Sequence, residues 1–454
     1  MQSLQKSKVK PDNHLICIIL CICYNKYMGK KKIRRRPQNR ISIMYSFLRP
    51  FFITFCAVIV MAIMTTAAYM WIMEPAKPEV DSHFQVTSER ADVERENVAA
   101  KEELIEEIIT VNDKYAYVLN DPEYMIENNI YAKDAAAQEQ VTVTFAGDIL
   151  FDDNYAVMAR VAQNGGDITY GIDPDLILEM NSADIMMINN EFPYSDRGEP
   201  LEDKQFTFRA KPSTVSYLNE LGVDIVSLAN NHAYDYGEEA FIDTLTTLEN
   251  AGIVYVGAGR NLQEARRPVC YIINNLRIAI VSATQIERLD NPDTKGATDS
   301  SAGVFRCWNV DNLLETVRET KENNDFVIVY IHWGTENVDE IDWAQEKQAA
   351  EIAEAGADLV IGDHPHCLQQ ISIVNGVPVI YSLGNFWFNS KTLDTGMVKV
   401  TLNEDGLQNF QFIPCQQSGS RTVLLHGEEK QRVIGYMQDL SDDVRIDADG
   451  NVTW

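Results

Sequence analysis

From Val141 onward, short apolar runs alternate with segments whose apolar positions recur at helical spacing. Val141–Ala146 predicts a strand that stops at Gly147-Asp148, and Ile185–Ile188 predicts a second that stops at Asn189-Asn190-Glu191. Helices are expected over Pro212–Leu221, Glu238–Ala251, Val310–Lys321 and Ala344–Ala355. Between them the pattern predicts strands at Ile225–Leu228, Val254–Gly257, Arg277–Ser282, Phe326–Ile331 and Leu359–Gly362. The end of the chain turns β-rich, with runs at Gln369–Val374, Val377–Ser382, Met397–Leu402 and Phe410–Ile413, and Asn375-Gly376 is a tight hairpin signal. Alternating elements followed by strand pairs predict a layered α/β fold, its sheets packed together with helices outside.

The first part of the chain follows other rules. Residues 51–73 carry no charge over 23 positions, enough to cross a hydrocarbon core of ~30 Å. The basic run Lys30-Lys31-Lys32-Ile33-Arg34-Arg35-Arg36 just upstream is assigned to the cytoplasm. The expectation is a single-pass anchor in the cell membrane, with the N-terminus inside and the main domain extracellular. A cleaved signal peptide is the competing reading, but its apolar region is normally shorter, ~7–15 residues. The domain plan is then a basic cytoplasmic segment at 1–50, of which 1–27 reads as a mis-assigned start before Met28. A transmembrane helix follows at 51–73 and an acidic, partly helical stalk at 74–140. The main domain spans 141–415 and a C-terminal extension 416–454.

Charge sharpens the picture. Twelve Lys/Arg and one acidic residue precede Glu74, while the rest of the chain carries 27 basic against 66 acidic residues. Phosphate binding needs a basic face, so nucleic acid is excluded as a partner of the main body. Four cysteines follow the membrane segment, Cys270, Cys307, Cys367 and Cys415, and their spacing suits neither a zinc knuckle nor a disulfide framework. Cys367 adjoins His366 but reads as a buried structural thiol.

Chemistry collects where the apolar strands end: Asp148, Glu191, Asn231 with His232, His332, and the pair His364 and His366 in Gly362-Asp363-His364-Pro365-His366. Open α/β sheets place ligands at such strand ends. Carboxylates, an amide and imidazoles form a mixed oxygen and nitrogen donor set suited to Mn, Fe, Zn or Mg-like ions. Taken singly, a strand-end Asp is a helix cap, Asn-His is a turn, and a lone His satisfies a core hydrogen bond. Their order and shared position carry the functional reading. Arg209 is a candidate for binding a substrate carboxylate or phosphate, with a surface ion pair as the equal alternative. Asp363 and Asn385 are candidate supports for the site through hydrogen bonds, and turn formation accounts for either as well.

Phe145-Ala146-Gly147-Asp148, Asn190-Glu191, Asn230-Asn231-His232, His332-Trp333-Gly334, Gly362-Asp363-His364-Pro365-His366 and Ser382-Leu383-Gly384-Asn385-Phe386 together resemble the CapA family. These are capsule-synthesis proteins linked to poly-γ-glutamate, with a domain similar to the calcineurin-like metallophosphatases. The resemblance covers Val141 to Leu402. It implies a four-layer α-β-β-α sandwich of the metallophosphatase type and two divalent ions. It implies that Asp148 serves one metal, Glu191 bridges both, Asn231 is a ligand, and His232 stands beside the scissile group as the catalytic residue. His332 is carried over as a further ligand, His364 as a ligand of the second metal and His366 of the first. Two departures stand out: the usual Asp-x-His of the first motif is Asp148-Ile149-Leu150, and the bridging residue is Glu191 where Asp is usual. Asp152 or Asp153 is the candidate substitute for the missing imidazole.

The resemblance implies a membrane-anchored, extracellular protein of capsule or poly-γ-glutamate synthesis or export. Its partners would be the lipid bilayer, polymer synthase or export proteins, and an anionic polymer. A metal-dependent phosphoesterase of cell-surface substrates and a non-enzymatic scaffold are the alternatives.

Overall fold

The computed structural model describes residues 113–287 and 294–454. The membrane segment expected at 51–73, its basic flank and residues 74–112 of the expected stalk lie outside them. Among the described residues, no helix is long and apolar enough to cross a membrane.

In the two main sheets, the strands of the first half are β1 (Ile130–Ala132), β2 (Val141–Ile149), β3 (Ile185–Asn190), β4 (Ile225–Ser227), β5 (Val254–Val256), β6 (Val269–Ile273) and β7 (Leu276–Thr284). Those of the second half are β8 (Phe326–His332), β9 (Leu359–Asp363), β10 (Ile371–Val374), β11 (Val377–Ile380), β12 (Asn385–Trp387), β13 (Leu393–Asn403), β14 (Gly406–Ser418) and β15 (Arg421–Leu424). The main helices are α1 (Ala156–Gln163), α2 (Pro174–Asn181), α3 (Gly237–Ala251), α4 (Asp311–Lys321), α5 (Trp343–Ala355) and α6 (Gly427–Leu440).

One sheet has the order β1-β6-β7-β8-β9-β11-β10 and the other β15-β14-β13-β2-β3-β4-β5, with β12 pairing β2. Both are mixed. In each, the central strands are parallel and the β-rich tail supplies antiparallel partners. The two sheets share one core. Val141, Val143 and Phe145 of β2 lie in the same buried cluster as Phe326, Ile328 and Tyr330 of β8. The alternate residues of β8, Val327, Val329 and Ile331, join α4 and α5 in an outer cluster. On the far side, α1, α2 and α3 cover the second sheet, with Val157, Leu176 and Phe241 buried against Met186 and Ile188 of β3. Burial on both faces is why these strands read as unbroken apolar runs. Asn375 and Gly376 join β10 to β11 with φ of 52° and 87°, the left-handed pair a tight primed hairpin turn demands.

Two expected boundaries fall inside continuous structure. β14 runs through residue 415, and β15 and α6 follow it, with Val433 and Met437 buried in the core between the sheets. The segment to Trp454 is therefore packed into the same unit as the main domain. At the other end, β1 pairs with β6, and Tyr115 and Val118 are buried in the outer cluster of the first sheet. Residues 113–140 belong to the domain and not to a stalk. Polar composition concealed this, because only a few apolar positions there anchor an acidic surface.

Candidate metal centre

A bulge in β2 decides which way Asp148 points. Phe145 pairs with Met187 and Asp148 with Asn189, so β2 advances three residues while β3 advances two. Regular alternation would turn Asp148 away from the face that carries Phe145, and the extra residue restores it to that face. Gly147 makes the bulge fit. A Cβ there would stand 2.1 Å from the Gly384 carbonyl oxygen, which accepts the Asp148 N–H at 3.1 Å. β8 and β9 need no such device: His332 and Asp363 follow the inward parity of Tyr330 and Ile361 and are register partners. His364 and His366 have φ of 93° and 59°, uncommon for residues with a side chain. That turn brings their rings to within 5.9 Å of each other.

The side chains converge. Asp363 Oδ1 stands 2.9 Å from His332 Nδ1. With Nδ1–H donating there, the bare Nε2 faces Asn231 Oδ1 at 2.8 Å, His364 Nδ1 at 3.0 Å and Glu191 Oε1 at 3.8 Å. Glu191 Oε1 has no hydrogen-bond partner among the described residues. Neither the amide oxygen nor an ionised Glu191 can donate, so in that state lone pairs gather around one point. Close by, His366 Nδ1 is 3.1 Å from Asp148 Oδ2. Three sets of ligand atoms lie within 4.8 Å of one another: Glu191, His332 and His364; Asp148, His332 and Asp363; Asp148, Glu191 and His366. Glu191 is common to the first and third. This donor set fits a divalent cation.

Electrostatics agree with the geometry. Burial pushes Glu191 well above the ordinary carboxylate range, and Asp148 and Asp363 add to the rise. Burial and the Asp148 charge likewise raise Asp363. For Asp148 burial is the largest influence, yet its hydrogen bond and ion pair with His366 and the field of His332 outweigh it and hold the pKa low. Burial draws His332 down to about 3 and, with His332 beside it, draws His364 well below its usual value. Burial thus disfavours uncompensated negative charge on Glu191 and Asp363 and keeps two imidazoles neutral, and a cation among them would relieve that cost.

His232 stands at the edge of this cluster, its Nε2 3.9 Å from Glu191 Oε1. Its Nδ1 is 2.7 Å from Asp235 Oδ2, and its ring lies against Phe208 at 4.2 Å between centroids. Asp235 is in turn paired with Lys204 Nζ at 2.5 Å, both side chains being buried, and the same ammonium donates to the Asn231 carbonyl. Burial lowers the His232 pKa despite the Asp235 charge. Asn189 donates to Asp148 Oδ1 at 2.8 Å and to Glu191 Oε2 at 3.3 Å. Asn230 braces Asn189 Oδ1 at 2.9 Å and accepts the His232 N–H at 3.0 Å. Sequence reasoning missed Lys204, Asp235, Asn189 and Asn230. Asp235 was findable three residues after His232; Lys204 comes from a distant loop and leaves no local signal.

The remaining candidates are placed as follows. The Arg209 guanidinium lies over the Tyr236 ring at 4.2 Å and contacts the carbonyls of Arg197 and Gly198, beside the site wall formed by Phe208. Asn385 is the register partner of Asp148. Leu150, where an imidazole is usual, is buried in the core. Asp152 does not replace it: its oxygens accept from Asn154 and from the Arg209 N–H, while Asp153 pairs with Lys211 at 2.5 Å. Cys367 is half-buried, and burial raises its pKa to about 11, which keeps it protonated and a poor ligand.

Residues 142–390 match the family described as bacterial capsule synthesis protein PGA_cap. Similar proteins include the capsule biosynthesis protein CapA of Bacillus anthracis, 31% identical over 307 residues that cover 65% of this chain and 72% of that one. The PGA biosynthesis protein CapA of Bacillus subtilis (strain 168) is 27% identical over 286 residues, 61% of this chain and 72% of that one. A probable polyglutamine synthesis accessory protein of Mycobacterium tuberculosis is 30% identical over 221 residues, 46% and 57% of the two chains. Among solved structures, the 5'-nucleotidase from Candida albicans SC5314 aligns over 62% of this chain and 53% of its own, at 11% identity and a TM-score of 0.33.

Proposed function

This chain belongs to the bacterial capsule synthesis protein PGA_cap family, and from that premise we propose that it acts in synthesis or export of a poly-glutamate capsule polymer. In this reading the domain is of the metallophosphatase type, held outside the cell membrane by the 51–73 segment, and works beside synthase or export proteins in the membrane. Asp148, Glu191 and His366 would hold one divalent ion, and Glu191, Asn231, His332 and His364 would hold a second. The observation that carries the metal reading is the meeting of His332 Nε2, Asn231 Oδ1 and Glu191 Oε1, the last of which has no hydrogen-bond partner among the described residues.

Bound there, a divalent ion supplies Lewis-acid chemistry toward a phosphoryl or carbonyl oxygen. The chain's own part is positional. Asp363 sets the His332 tautomer, and Asn189 aligns Asp148 with Glu191. Among the imidazoles of the site His366 is the most accessible, its side chain 16% exposed.

The test is the metal content of the purified protein against the His364→Ala/His366→Ala variant, with polymer production measured in cells carrying each. Bound metal in the parent, lost in the variant together with polymer, is the expected result. Equal, near-zero metal in both removes the metal reading, and unchanged polymer with metal lost makes the protein a scaffold.

A second reading, a metal-dependent phosphoesterase of cell-surface substrates, is favoured by His232. Asp235 holds its Nδ1–H, leaving Nε2 free at the inner edge of the cluster and neutral near pH 7, ready to take up a proton and return it to a leaving oxygen. Metal-dependent turnover of a generic phosphodiester, abolished by His232→Ala, supports this reading. Absence of turnover with Mn, Zn, Fe and Mg counts against it.

A further inference from the structure

A second feature lies at the far end of the first sheet, where β7 begins and α4 ends. Cys270 of β6, Arg277 of β7, Thr316 and Thr320 of α4, and the adjacent Arg266 and Arg267 line one cavity of about 420 Å³. Strand alternation decides which way Arg277 points. Leu276, Ile278 and Ile280 lie in the core between the sheets, whereas Ala279, Val281 and Ala283 lie in the outer cluster with α4 and α5. Arg277 shares the parity of the outer set, which puts its side chain on the face where the cavity lies. From there β7 runs to Thr284, the register partner of His332, so roughly 20 Å of strand separates this cavity from the metal centre.

Arg277 is only 6% exposed, yet no carboxylate pairs with its guanidinium among the described residues. Asp325 accepts its backbone N–H at 2.8 Å and otherwise receives Lys114 and Tyr115. The Arg277 Nε is closed off without a partner, which leaves the terminal nitrogens as the accessible end of a residue that lines the cavity. Cys270 supplies no counter-charge, because burial pushes its thiol up to about 11. Arg267 also has no carboxylate partner among the described residues; its Nη1 donates to the Glu127 carbonyl at 3.3 Å. Arg266, by contrast, is paired with Glu315 and Glu319, each at 3.1 Å. The lining thus sets three guanidinium groups against the carboxylates of Glu127 and Glu319, a positive excess in a chain of net charge −28.

A buried cation without a counter-charge is costly, so the site calls for an anion. A cationic ligand meets like charge, and a neutral one leaves the buried guanidinium uncompensated. Guanidinium presents its N–H groups as a planar fork that matches two oxygens of a carboxylate or a phosphate. The volume lies within the range of small-molecule sites. We propose that this cavity binds a small oxyanion, a carboxylate or phosphate group, on Arg277 with Arg267 beside it, at a site separate from the metal centre.

The test is calorimetric titration of the purified full-length chain, in a buffer of low ionic strength, with inorganic phosphate, glutamate and a γ-linked glutamate tetramer, alongside the melting temperature with and without each. Saturable binding of at least one is expected, with Kd on the order of millimolar for so few contact atoms. Phosphate as the tightest probe identifies a phosphoryl ligand, and either glutamate compound a carboxylate. Arg277→Met should weaken binding about tenfold or more and remove the rise in melting temperature that the anion gives the parent. Arg267→Ala, at a half-buried position, should weaken it severalfold and serves as the test if the methionine variant does not fold. His364→Ala/His366→Ala should leave this binding unchanged, which separates it from an anion held by metal. The proposal is overturned if no probe saturates, if binding survives Arg277→Met or Arg267→Ala at parental strength, or if it is lost with His364→Ala/His366→Ala.

Discussion

His332 and Asp363 end adjacent parallel strands in direct register, and their side chains meet at 2.9 Å between Nδ1 and Oδ1. The contact makes the ligand nitrogen of His332 a property of strand pairing. Asp363→Asn keeps the shape but can present an amide N–H to Nδ1, which favours the wrong tautomer. Metal affinity should fall about 10–100-fold with the fold unchanged. Calorimetric titration of the metal-stripped protein, with circular dichroism as control, checks this; an unaltered affinity would show that Asp363 does not set the ring.

Lys204 and Asp235 form a buried pair from which His232 and the Asn231 backbone both hang. Lys204→Met leaves the Asp235 carboxylate uncompensated and should cost roughly 3–5 kcal/mol in urea unfolding. Lys204→Arg should recover part of it. A loss below about 1 kcal/mol for the methionine variant would mean that the pair is a bystander.

Gly147→Ala places a methyl group against the Gly384 carbonyl, 2.1 Å from its oxygen, where backbone cannot yield cheaply. The expected cost is roughly 2–4 kcal/mol, accompanied by weaker metal binding because Asp148 shifts with the bulge. A variant with parental melting temperature and metal content would refute the assigned role of the glycine.

Asp325 ties the first described residues to the domain. It accepts from Lys114 Nζ at 2.6 Å, Tyr115 Oη at 2.6 Å and the Arg277 N–H at 2.8 Å. Burial raises its pKa, but these donors outweigh burial and hold it below its ordinary 3.8. A depressed folded pKa gives stabilisation that is complete above the unfolded value and lost as pH falls through the folded one. Proteolysis near residues 113–115 should therefore accelerate below about pH 4. Asp325→Asn should show fast cleavage already at neutral pH, and a pH-independent rate in both proteins would contradict the assignment.

Much of this architecture was legible in the order of residues. The strand-end positions of Asp148, Glu191, His332 and His364 came from apolar runs terminated by polar ones, and the hairpin at Asn375-Gly376 from its turn chemistry. The misses have physical causes. α1 and α2 were overlooked because each is only eight residues long and turn-like sequence flanks it, which gives periodicity too little length to register. The C-terminal helix α6 looked like an appendage because only its Val433, Ile434 and Met437 are buried. In the site, Lys204 meets Asp235 across 31 positions and Asn189 reads as one of two adjacent strand-end amides; neither pairing can be inferred from spacing.

The bulge between Phe145 and Asp148 has a consequence for how this protein can change. The aspartate serves the cluster because of a count, one residue more in β2 than in β3, rather than because of any neighbour's chemistry. Deleting one residue at Ala146 or Gly147 would leave every ligand in the chain and still turn one of them outward, toward Val157 and Met186 on the face that the helices cover. Loss of function by that route would be invisible to an inventory of ligands, so a relative that retains all of them but lacks the insertion should be read as a protein with a different site.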